Sequence, residues 1–116
     1  PLDMQIALLA DTLDQERVIE PLLTEMLVAW LDGDDEQFLA LFEQQSGQSP
    51  YARAFNDALL DKRNIGMANK IRGYLSGNGT YFVLIGAAHF LGEAGIIARL
   101  ENEGVSVKRI QSTDVL

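Results

Sequence analysis

A chain of 116 residues with 47% hydrophobic content is long enough for one domain with its own core, and no apolar run nears the roughly 18 residues of a membrane-crossing helix. Its formal net charge of −8 argues against a surface built to track nucleic-acid phosphates. With no cysteine, disulfides, thiol nucleophiles and cysteine–zinc sites drop out together, while cytoplasm and periplasm both stay open.

The first residue is Pro1, and no charged-then-apolar signal segment follows it, so the chain is expected to begin inside a longer polypeptide. Met4, Leu8, Leu9 and Leu13 recur at helical spacing and predict a helix over residues 3–13. Pro21 suits the first turn of a second helix, where its missing N–H would have no partner anyway. That helix runs through Leu22, Leu23, Met26, Leu27 and Trp30 and stops at Asp32-Gly33, where glycine can turn left-handed. Asp34 with Gln37 three positions on forms a capping-box pattern for a short helix whose apolar face is Phe38, Leu41 and Phe42. Trp30, Phe38 and Phe42 read as core.

Gly47 to Pro50 reads as a loop, with Ser49 as cap and Pro50 opening the next helical region. That region spans Tyr51 to Leu75 in two apolar-spaced segments, divided by the charged patch Asp61-Lys62-Arg63-Asn64 and ended by Gly77-Asn78-Gly79. Thr80 to Ile85, TYFVLI, is nearly all apolar and suits a strand covered on both faces. A helix over Gly92 to Glu103, with Ile96, Ile97 and Leu100 inward, leads to a second strand, VSVKRI, at Val105 to Ile110. The expected fold is therefore α/β: a largely helical part over 1–79, then a right-handed βαβ unit over 80–110. Two parallel strands leave an edge unpaired. We therefore expect this piece to belong to a larger α/β domain, completed by a missing N-terminal half or by another copy.

One histidine, His89, stands in the segment Gly86-Ala87-Ala88-His89-Phe90-Leu91-Gly92-Glu93. It falls just beyond the predicted strand's C-terminal end, where open α/β sheets bind ligands. Gly86 would allow close approach of a ligand, and imidazole binds metals or carries protons near neutral pH. Glu93 has the reach to orient His89, to bind a metal or to cap the following helix. From these residues alone, an enzyme and a binding module are equally open.

Three spaced segments narrow the choice. YFVLIGAAHFLGEAGIIARLENEGVSVKRI, with AWLDGDDEQFLALF and DKRNIGMANKI upstream in the expected order, resembles the C-terminal signature of the TraB/PrgY/GumN family from about Trp30 to Ile110. That family includes the animal Tiki proteins, described as metal-dependent proteases, and bacterial proteins linked to polysaccharide loci and to suppression of peptide pheromones. The family pattern carries two G-x-x-H motifs. Gly86 and His89 match the C-terminal one, Arg63 and Asn64 match its arginine–asparagine pair, and the first motif with its acidic residues is absent here.

The resemblance implies a metal-dependent peptidase or hydrolase when the full domain is present, acting on a peptide substrate and working outside the cytoplasm or in the periplasm. His89 would be a ligand to zinc, manganese or cobalt, the other ligands coming from the missing N-terminal half. Arg63 would bind a substrate carboxylate or an oxyanion, and Gly86 and Asn64 would line the cofactor site; Glu93, read from its place four residues beyond His89 and not from the resemblance, is a further candidate catalytic residue. Sequestration of a peptide without hydrolysis, or a purely structural module, is the alternative.

Overall fold

Gly33 ends the first helix where the sequence places a stop. In the computed structural model, which describes residues 1–45, 50–111 and 114 without the side chain of Arg17, Gly33 adopts φ 72° and its N–H bonds back to the Trp30 carbonyl. Only glycine takes this left-handed turn without a Cβ penalty. The predicted loop at Gly47 to Ser49 lies outside the described residues.

The chain forms two units, Pro1–Ala58 and Leu59–Leu116. In the first, α1 spans Leu2–Asp32, α2 Asp35–Gln45 and α3 Pro50–Asn56. The expected break before Pro21 does not occur, because Pro21 sits inside α1. Proline removes one i→i−4 bond there, and the rest of a long helix carries the segment across it. Asp34 caps α2 as its spacing predicts, with Oδ1 accepting the Gln37 N–H at 3.0 Å.

The core of this unit is Met26, Ala29 and Leu41, with Leu22, Phe38 and Phe42 packed against it. Trp30 is a correction: it is 60% exposed, one residue past Ala29 and turned off the buried stripe. Leu9 and Leu13 of the first apolar stripe also face outward. α3, opened by Pro50 as expected, contacts α1.

In the second unit α4 spans Lys62–Leu75 and α5 Ile96–Asn102. A π-helical turn over Asp57–Asp61 precedes α4, and Ala87–His89 forms a 3-10 turn. The charged patch is thus no interruption: Lys62, Arg63 and Asn64 are the first residues of α4. Ala68, Ile96 and Leu100 form the core, joined by Met67, Ile71, Ile85, Phe90 and Val105. Ile96 is wholly buried, which for such a side chain is worth roughly 1.5–3 kcal/mol. Outside this core, Arg72 and Glu103 bridge α4 and the end of α5.

The expected α/β fold and its βαβ unit are overturned. All regular elements among the described residues are helical, and residues 80–86 and 105–111 form neither helix nor strand. No backbone hydrogen bond joins residues 80–85 to another described segment. A strand exists only when a neighbour exchanges N–H and C=O bonds with it, and none does so among the described residues. The expectation of two covered faces fails with it: Phe82 is 92% and Leu84 86% exposed, whereas Ile85 reaches the α4–α5 core. Tyr81 stacks on Tyr74 with ring centroids 4.7 Å apart, holding the start of this segment against the end of α4.

Candidate functional site

The second unit brings two of the sequence-nominated residues, Asn64 and His89, together at one buried amide. Asn64 lies in the first turn of α4 and is only 2% exposed, the one buried polar or charged side chain among the described residues. Its Nδ2 donates to the Ala94 carbonyl oxygen at 3.0 Å, and its Oδ1 lies 2.7 Å from His89 Nδ1. Both ends of the amide are therefore satisfied, as burial demands. His89 itself ends the 3-10 turn, where its backbone N–H bonds to the Gly86 carbonyl at 3.0 Å.

The other nominated residues take different places. Arg63 is exposed on α4, and no salt bridge within the chain holds it among the described residues. It still acts on the site. Burial pushes the His89 imidazole below its ordinary value of 6.5, and the Arg63 charge lowers it further. The imidazole is thus biased towards the neutral form, which can ligate a metal or accept a proton.

Glu93 lies in the turn before α5 and not in its first helical turn, because α5 begins only at Ile96. It therefore does not compensate the helix dipole, and no hydrogen bond joins it to His89. Gly86 has no steric need to be glycine, since an added Cβ would meet only His89 Cδ2 at 3.8 Å.

Two contributors escape a reading of the sequence. Ala94 offers its carbonyl to Asn64 and also to Arg99 Nε, which donates at 2.9 Å, so one oxygen ties α4 and α5 to the turn between His89 and α5. The turn calls for two glycines: Gly92, at φ 76°, takes a left-handed backbone, and Gly95 is crowded. A Cβ there would lie 2.3 Å from the Leu91 carbonyl oxygen and 2.6 Å from that of Phe90. The Gly92/Gly95 pair is the only sign of this in the sequence, and it does not reveal which glycine is crowded.

The chemistry of the donor set can be tested against a metal. Imidazole suits first-row divalent ions, so His89 fits as one ligand. Among the described residues no group of three or more potential ligands comes together. A catalytic set of three protein ligands would need donors from outside them.

The family model for TraB/PrgY/gumN matches residues 1–109, nearly the whole chain. The chain belongs to the TraB/PrgY/gumN family. No curated protein and no solved structure matches it.

Proposed function

We propose that this chain supplies part of a metal-dependent hydrolase site acting on peptides, with His89 as its working side chain. The observation that supports this reading is the buried Asn64 spent on His89. An amide taken out of water costs free energy unless both ends are bonded, and here one of those bonds goes to a single partly buried imidazole. A histidine that merely covers the surface needs no such support, whereas a ligand or base must be held in one orientation.

In this reading His89 contributes one ligand, and the remaining ligands come from outside the described residues. A divalent ion so held supplies Lewis-acid polarisation of a carbonyl and activation of water. Arg63, permanently cationic and without an ion-pair partner among the described residues, binds a substrate carboxylate or the developing oxyanion. Glu93 stands four residues from His89, close enough in sequence to assist once substrate is bound.

The test is hydrolysis of a mixed fluorogenic peptide library by the full-length protein with Zn²⁺, Mn²⁺ or Co²⁺. Metal-dependent cleavage is expected, and His89→Ala should reduce it by at least about 100-fold with the circular dichroism spectrum unchanged. Undiminished cleavage by the variant would remove His89 from the mechanism. Peptide retained but never cut by the native protein would replace hydrolysis with sequestration.

A further inference from the structure

We propose that Asn64 is a positioning residue that holds His89 in the Nδ1–H tautomer, so that Nε2 is the nitrogen offered to a ligand or substrate. The inference deepens the hydrolase reading in naming the working atom, but the tautomer itself stands on the hydrogen-bond geometry alone.

The Ala94 end of the amide has no freedom. Ala94 offers a carbonyl oxygen, which can only accept. The Asn64 atom 3.0 Å from it must therefore be the donor, Nδ2. Reversing the amide would set two acceptor oxygens against each other at that distance in a buried place, with the Asn64 NH₂ turned to His89. Arg99 Nε also donates to the Ala94 oxygen, so the carbonyl is held from two sides and cannot turn away.

Gly95 follows Ala94 and packs against the Leu91 and Phe90 carbonyls without room for a Cβ, which fixes the peptide plane that carries the Ala94 oxygen. Asn64 Oδ1 is then the atom facing His89 Nδ1 at 2.7 Å, and a carbonyl oxygen there requires a proton on that nitrogen. In a neutral imidazole one nitrogen carries the proton, so Nε2 keeps its lone pair. Free histidine prefers the opposite tautomer. The fold reverses that preference with one side chain, twenty-five residues away in sequence.

The experiment is a long-range ¹H–¹⁵N correlation spectrum of the ¹⁵N-labelled, metal-free chain at a pH above the His89 titration. As the only histidine, His89 needs no assignment. The native chain should show the Nδ1–H pattern, with Nε2 the unprotonated nitrogen. Asn64→Ala should swing the tautomer ratio towards Nε2–H by roughly fivefold or more, the scale of one net hydrogen bond.

An Nε2–H pattern in the native chain would overturn the proposal, as would an Nδ1–H pattern that survives Asn64→Ala. Should that variant not fold, the native spectrum alone decides. The readout needs neither metal nor turnover, so failure of the peptide assay and failure of this proposal are separate results.

Discussion

Gly95→Ala is the substitution that the second unit should tolerate least. The added Cβ would meet the Leu91 oxygen at 2.3 Å, the Phe90 oxygen at 2.6 Å and the Leu91 carbonyl carbon at 2.7 Å. All three are backbone atoms, so no rotamer change relieves the overlap. To reach ordinary contact the turn must retreat by roughly 1 Å, and the Ala94 carbonyl bonded to Asn64 and Arg99 moves with it. Overpacking of this kind costs about 1–3 kcal/mol.

For a unit of this size the melting temperature should fall by about 4–8 °C per kcal/mol. Gly66→Ala is the matched control. It lies within α4 with nothing within 4 Å of the added methyl, so it should raise stability by about 0.5–1 kcal/mol. Thermal melts followed by far-ultraviolet circular dichroism compare the two variants directly. Equal melting temperatures for native and Gly95→Ala chains would refute the crowding argument and, with it, the fixed Ala94 carbonyl.

Other expectations follow from single contacts. Because burial and Arg63 both lower the His89 pKa, its ¹H NMR titration midpoint should lie below 6.5. The unfolded chain then binds more protons than the folded one between the folded value and 6.5, so stability should rise with pH through that window and fall on acidification. Arg63→Gln should move the midpoint back only part of the way, since burial is the larger cause; complete return would reverse that order. Asp34→Ala removes the cap on the Gln37 N–H and should cost about 1 kcal/mol in urea unfolding, with no change in the His89 titration. Ile96→Ala should cost about 2–5 kcal/mol, because Ile96 is fully buried against Ala68 and Leu100.

The helices were legible where local chemistry decides them. Gly33, Asp34 and Pro50 act through their own backbone or a neighbour three residues away, and each does what its position predicts. The absence of strands among the described residues was not legible, because an apolar run such as TYFVLI signals only that something ought to cover it. Whether a partner strand is present is a property of the surroundings, and among the described residues Phe82 and Leu84 have none.

His89 stood out as the single histidine, while its link to Asn64 spans twenty-five residues that no periodicity connects. Only the family resemblance put Asn64 beside it in advance. The roles of Ala94 and Gly95 rest on a carbonyl direction and a missing Cβ, neither of which is written in residue types.

As proposed, His89 is one ligand of a metal site completed from outside the described residues. Calorimetric titration of Zn²⁺ or Mn²⁺ into the full-length protein and its His89→Ala variant tests it most directly. A one-to-one site weakened by at least about tenfold in the variant is the predicted result. The same affinity with and without the imidazole would contradict it.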